Sequence, residues 1–202
     1  MRRILIFVIY FLLFGNCYSQ WVRTNGLTGD FVYSMLAVGN NIFAGTQSAT
    51  FLSTNSGNNW VQVFNISARS LTNSGSNIFA GTQSNGIYLS TNNGTNWVQV
   101  NTGLTAMYVR SMTSNANFVY AGTTTGGVFI STNNGGLWAP YNNGLNNLYI
   151  FSLLVNNGVL YAGTGPADGG VYRSTNNGMS WSFSGATNQF VYALVANSTN
   201  VF

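Results

Sequence analysis

The chain has 202 residues, of which 46% are hydrophobic and only 4% charged, and its net charge is +4. Histidine, lysine and glutamate are all absent. Their absence excludes a Ser-His-Asp triad, a phosphate-loop lysine, a Schiff-base lysine and zinc bound by histidine or, in the mature chain, by thiolate. No cofactor and no metal site is expected, and scattered arginines do not form the phosphate-tracking stripe that nucleic acid requires.

Residues 1–19 read as a signal peptide. Arg2 and Arg3 open it, Ile4 to Phe14 is an apolar run too short to span a bilayer, and Cys17-Tyr18-Ser19 fits cleavage before Gln20. The competing reading, a lipoprotein signal acylated on Cys17, is served badly by Phe14-Gly15-Asn16. Both readings place the mature chain outside the cytoplasm, secreted or attached at the cell surface, with no transmembrane segment after signal removal. Cys17 is the single cysteine, so no disulfide is available to the mature domain. After processing, Arg23, Arg69, Arg110 and Arg173 stand against Asp30 and Asp168.

From Trp21 onward the sequence repeats at about 40 residues, the mark of a modular architecture. All five tryptophans, Trp21, Trp60, Trp97, Trp138 and Trp181, occupy one position of the repeat. Four close a phrase that begins Ser-Thr-Asn: Ser53, Asn55, Gly57 with Trp60; Ser90, Asn92, Gly94 with Trp97; Ser131, Asn133, Gly135 with Trp138; and Ser174, Asn176, Gly178 with Trp181. Ala-Gly-Thr precedes each phrase, at Ala44, Ala80, Ala121 and Ala162. Within the second period, residues 68–72, 77–82, 86–91 and 96–100 are predicted strands, and Asn92-Asn93-Gly94 is predicted to be a tight turn. No segment has the length or periodicity of a helix. Four short antiparallel strands per period make a blade, so the fold class is all-β, a β-propeller.

The blades are expected at roughly 31–64, 66–101, 107–141 and 148–184, within a domain spanning 20–202. A partial fifth lies at 190–202. Residues 21–25 match the last strand of a blade and are expected to close the ring. This organisation predicts an incomplete propeller, a fragment of one with about six to eight blades.

The phrase Ser-x-Asn-x-Gly-x-x-Trp resembles the Asp-box, or bacterial neuraminidase repeat, with asparagine in place of aspartate. The resemblance covers Trp21 to the end. It places the chain beside sialidases, sortilin ectodomains, xyloglucan-cleaving hydrolases and photosystem II assembly factors. The role implied for the box is structural: the asparagines bond the turn, the glycines accept positive φ, and the tryptophans pack between sheets. A motif repeated in every blade is a poor candidate for a catalytic site.

Function is therefore sought where the repeats differ. Tyr33, Arg69, Arg110, Phe151 and Tyr192 share one position near the start of the innermost strands, toward the central channel. Aromatic rings and guanidinium groups around a mouth suit stacking on sugars or binding carboxylates, and the alternative is that they only fill gaps between blades. The loops between second and third strands vary most, with Gly165-Pro-Ala-Asp-Gly-Gly170 the longest. Asp168 lies in that loop and Asp30 in the segment leading into the first blade, both expected on the same face. Sequons at Asn65, Asn93 and Asn197 match by chance in so asparagine-rich a chain.

Two functions follow. A non-enzymatic binding or scaffold module for a protein or glycan fits the weak charge and the scarcity of catalytic residue types. A glycoside hydrolase needs two carboxylates, and Asp30 with Asp168 is the one pair present. The segment Asp168-Gly-Gly-Val-Tyr-Arg173 is similar to a loop carrying an acid in xyloglucan-cleaving propellers. The sialidase version requires a glutamate, which the chain lacks.

Overall fold

Each period folds into one antiparallel sheet. The computed structural model describes residues 26–27, 30–165 and 168–202. The signal segment, Cys17, Trp21, Arg23 and the closing strand expected at 21–25 lie outside the described residues. The first sheet runs β1 (Val32–Val38), β2 (Asn41–Thr46), β3 (Thr50–Ser53), β4 (Val61–Phe64). The second is β5 (Ser70–Ser74), β6 (Asn77–Gly81), β7 (Ile87–Ser90), β8 (Val98–Gln99), and the third β9 (Val109–Ser114), β10 (Val119–Thr123), β11 (Val128–Ser131), β12 (Ala139–Pro140). The fourth is β13 (Ile150–Asn156), β14 (Val159–Thr164), β15 (Val171–Ser174), β16 (Ser182–Gly185). These are four blades of an incomplete β-propeller, with no helix among the described residues.

The two repeated phrases explain how blades are built and joined. In Ala-Gly-Thr the alanine is fully buried at Ala44, Ala80, Ala121 and Ala162. The glycine admits the next blade: a Cβ on Gly81 would lie 2.6 Å from Val109, and on Gly122 2.5 Å from Ile150. The threonine closes the following loop, as when Thr123 Oγ1 donates to Gly127 O at 2.9 Å and accepts from Gly126 N at 3.0 Å.

In the Ser-Thr-Asn turn, Ser131 Oγ accepts from Gly135 N at 2.8 Å, while Asn133 Oδ1 accepts from Leu137 N at 2.9 Å. The same pair of bonds recurs in all four blades. Asn134 and Gly135 hold φ of 54° and 84°, which asparagine and glycine adopt most readily, and in the first blade Ser56 takes the first of these places at φ 57°. Gly94 also leaves room for Phe43 of the preceding blade, where a Cβ would stand 2.6 Å from the ring.

The core lies between blades rather than inside any one. Among the described residues, the second interface buries ten side chains, Phe79, Met112 and Trp138 among them, and the third another ten around Tyr120, Ile150 and Trp181. The first buries five, around Phe43 and Ile78. Full burial of a large apolar side chain contributes roughly 1.5–3 kcal/mol, and the first junction has the fewest fully buried side chains among the described residues.

Two expectations need correction. The outermost strand β8 is only two residues long, not the five expected at 96–100, and β12 is equally short, because side chains take over part of the pairing. Asn101 Oδ1 accepts from Ile87 N, and Asn142 Oδ1 from Val128 N, each at 2.8 Å. The tryptophans also differ among themselves. Trp138 Nε1 donates to Val100 O and Trp181 Nε1 to Tyr141 O, both at 2.8 Å and both to the preceding blade. Trp97 stays half-buried and donates to Gly94 O within its own turn at 3.0 Å.

Trp138→Phe should therefore cost about 1–2 kcal/mol, because it leaves the half-buried Val100 carbonyl without its donor. Trp97→Phe should cost less. Urea midpoints of the two variants make the comparison, and equal losses would contradict the assignment of inter-blade bonding to Trp138.

Residues 190–194 take the inner position of a further blade without joining a ladder. Val191 N donates to Thr164 O at 3.1 Å, as Val109 N does to Thr82 O at 2.9 Å. A short hairpin follows, with Ala196 bridged to Val201.

Candidate binding mouth

The inner strands bring the variable position to one place. Tyr33, Arg69, Arg110, Phe151 and Tyr192 line a cavity of about 180 Å³ at the channel mouth, together with Tyr108. The local reason is a β-bulge. Pairing of β1 skips Tyr33, between Val32 and Ser34, and pairing of β13 skips Phe151, between Ile150 and Ser152. In β9, Val109 faces Thr123 and Ser111 faces Gly122, which leaves Arg110 as the extra residue. Arg69 sits just before β5 with its N–H on Gly81 O at 2.8 Å, although Ser70 already faces Gly81. A bulged residue leaves the alternation of the strand and can be aimed elsewhere, here into the mouth.

The two guanidinium groups rest on aromatic faces. Arg69 Cζ lies 3.7 Å from the Tyr33 ring centroid and 6.0 Å from that of Tyr108, and Arg110 Cζ lies 4.2 Å from that of Phe151. Gln83 Oε1 accepts from one Arg69 Nη, which orients the fork. Arg69 Nε is buried without a hydrogen-bond partner. Such an orphan donor is costly unless a ligand or solvent meets it. No carboxylate lines the mouth, so the positive charge there is uncompensated by side chains.

An aromatic cluster flanks the arginines. Phe151 packs edge-on against Phe190 at 5.6 Å and Tyr192 at 5.1 Å, and Phe190 and Tyr192 stack at 5.3 Å with 3° between their planes. Tyr149 lies 5.9 Å from Phe151. The sequence reading missed Tyr108, Tyr149 and Phe190. The signal was available: Phe31, Tyr108, Tyr149 and Phe190 each precede a mouth residue by two positions, and only Ser67 breaks the series. An aromatic recurring at one place of the repeat, just before an inner strand, marks a second set of rings beside the first.

The two carboxylates lie elsewhere. Asp30 accepts from Thr46 Oγ1 at 2.5 Å, from Ser48 N at 3.2 Å and from Ser48 Oγ, all in the first blade. The Ser48 hydroxyl and then the Thr46 hydroxyl hold its carboxyl below the usual aspartate value. A general acid needs the opposite shift. Asp168 is exposed with φ of 64°, its N–H on Asn188 Oδ1 at 3.3 Å and its carbonyl accepting from Tyr172 Oη at 2.8 Å. One carboxylate belongs to the first blade and the other to the fourth, and neither reaches the mouth. Among the described residues no group of three or more acidic or cysteine side chains is placed to hold a metal.

Fold and site together define a β-propeller with an aromatic and cationic channel mouth. Solved structures sharing this fold include an ancestral GH74 enzyme, 24% identical with a TM-score of 0.63, over 78% of this chain and 26% of that one. They also include the extracellular domain of a one-component system from B. thetaiotaomicron, 14% identical with a TM-score of 0.67, over 81% and 23%. YCF48 from Cyanidioschyzon merolae is 13% identical with a TM-score of 0.64, over 83% and 60%. The chain thus spans about a quarter of the first two and 60% of the third. No family model and no curated protein matches the chain. At these identities the likeness establishes the fold alone. No helix among the described residues is long and apolar enough to cross a membrane.

Proposed function

We propose that the chain belongs to a secreted or cell-surface propeller that acts as a non-enzymatic binding module for a glycan or protein ligand. The anionic glycan is the better-supported ligand. The observation carrying this reading is the pair of arginines, Arg69 and Arg110, held over aromatic rings in a mouth that has no carboxylate. Guanidinium forks bind carboxylate or sulfate groups in bidentate fashion, and exposed Tyr and Phe faces stack on sugar rings. Extracellular domains among the proteins of similar fold support export of such a module.

A hydrolase reading draws support from the GH74 enzymes of similar fold. It would require Asp30 and Asp168 to act on one bond. Retaining enzymes need carboxyl groups about 5–5.5 Å apart and inverting ones about 6.5–9.5 Å, whereas these two are anchored in different blades.

The test compares polygalacturonate with neutral xyloglucan by affinity electrophoresis, alongside reducing-sugar release from both. Preferential retardation by polygalacturonate that weakens with salt, and no sugar release, is the expected result. Sugar release abolished by Asp30→Asn and Asp168→Asn would reject the binding-module reading in favour of hydrolysis.

A further inference from the structure

Box tryptophans are not all covered alike, and the one exception leaves a cleft. Between the second and third blades runs Asn101-Thr-Gly-Leu104, and between the third and fourth Asn142-Asn-Gly-Leu145. Each linker lies across the next tryptophan. Trp138 N donates to Thr102 O and Trp181 N to Asn143 O, both at 2.8 Å. The glycines touch backbone: a Cβ on Gly103 would lie 2.1 Å from Trp138 O, and on Gly144 2.2 Å from Trp181 O. Leu104 and Leu145 are buried beside those two tryptophans. Even in the first blade Gly26 abuts Trp60, with a Cβ there 3.2 Å from Trp60 O.

Among the described residues no such linker covers Trp97. Arg69 follows Trp60 by nine positions, whereas Arg110 follows Trp97, and Phe151 follows Trp138, by thirteen. The connection between the first two blades is four residues short and lacks the Asn-x-Gly-Leu segment. The Trp97 amide accordingly makes no linker bond, and its indole turns to its own Gly94. Phe64 stacks on the indole at 5.1 Å and 18°. A cleft of about 410 Å³ remains, lined by Gln62, Phe64, Asn65, Thr95, Asn96 and Trp97. It carries no charge, and its rim offers amides and a hydroxyl. The same junction has the smallest buried core of the three.

We propose that this cleft receives an extended, glycine-bearing peptide segment of a partner protein, seated on Trp97 as the chain's own linkers are seated on Trp138 and Trp181. The internal repeat specifies the occupant's chemistry. A peptide carbonyl meets the open Trp97 N–H as Thr102 O meets Trp138 N. A glycine meets the Trp97 carbonyl, as Gly103 meets that of Trp138 and Gly144 that of Trp181. Asn65, Asn96 and Gln62 pair with the remaining backbone groups of the peptide. This site is separate from the channel mouth and does not rest on the reading given for it.

The experiment uses the ¹⁵N-labelled protein and a capped peptide, Val-Asn-Thr-Gly-Leu-Thr, the chain's own residues 100–105. Saturable movement of the Trp97 amide and indole signals is expected, with Trp138 and Trp181 unmoved. Two variants check the location. Asn96→Trp fills the cleft from an exposed position and should abolish the response. Phe64→Asn with Thr-Gly-Leu-Thr inserted after it restores the thirteen-position spacing, and should abolish the response while raising Tm. No saturable shift up to about 1 mM peptide, weaker than ~4 kcal/mol of binding, would overturn the proposal. An unchanged response in the Asn96→Trp protein would also overturn it. Movement of Trp97 with cellohexaose and none with peptide would replace it with a neutral-glycan site.

Discussion

Gly103→Ala should destabilise the protein by about 3 kcal/mol or more, the sum of a strained backbone and a steric collision. Gly103 holds φ of 82°, and its added Cβ would stand 2.1 Å from the carbonyl oxygen of Trp138. The obstacle is backbone, which cannot swing away like the end of a flexible side chain. Relief would require pulling the linker off Trp138, breaking the Trp138 N bond to Thr102 O and exposing the buried Leu104. Gly75→Ala provides the control. Its φ is 59°, but nothing lies within 4 Å of the added atom, so about 1 kcal/mol of conformational strain is expected. Thermal or urea unfolding of the pair separates the two contributions. A Gly103→Ala protein no less stable than Gly75→Ala would show that the linker is not clamped on the next blade. Gly135→Val should fall between them: φ is 84°, with Phe79 and Val100 at 3.1 and 3.2 Å from the added Cβ.

Removing both mouth arginines should separate binding from folding. Each hydrogen-bonded ion contact to a ligand carboxylate is worth about 1.5–3 kcal/mol, so Arg69→Ala with Arg110→Ala should weaken binding to polygalacturonate by at least ~100-fold. Tm should change little, because both side chains sit at a mouth rather than in the inter-blade core. Replacing both by lysine keeps the charge but loses the planar fork and its stacking on Tyr33 and Phe151. Binding by the lysine protein should be intermediate, with the salt dependence preserved. Full affinity in the double alanine protein would leave the mouth without a role in recognition. A collapse in Tm would mean that the arginines chiefly hold the blades together.

The blades, their order and their turns were legible in the sequence because each rests on local chemistry. Asn93-Gly94 favours a tight turn on local grounds, since asparagine and glycine tolerate positive φ better than most residues. The Ala-Gly-Thr phrase recurs because every blade meets its neighbour through the same close approach at Gly45, Gly81, Gly122 and Gly163. The sharing of one repeat position by Tyr33, Arg69, Arg110, Phe151 and Tyr192 was equally readable from register.

Other features depended on which residues meet across blades. A bulge is one unpaired residue, and the strings around Tyr33 or Phe151 carry no glycine or proline to announce it; only the partner strand defines it. Asn101 and Asn142 read as loop residues, yet in space they cap the neighbouring strand and shorten β8 and β12. The sequence already placed Asp30 at the first blade and Asp168 in the fourth; packing decided their partners, the Thr46 and Ser48 hydroxyls on the Asp30 carboxylate and the Asn188 amide on the Asp168 backbone N–H. The four-residue shortfall before Arg69 could be counted in the sequence. That it opens a cleft over Trp97, rather than drawing the blades together, was decided by packing. Phe64 covers one face of the indole, and no backbone carbonyl of the described residues accepts from the Trp97 amide.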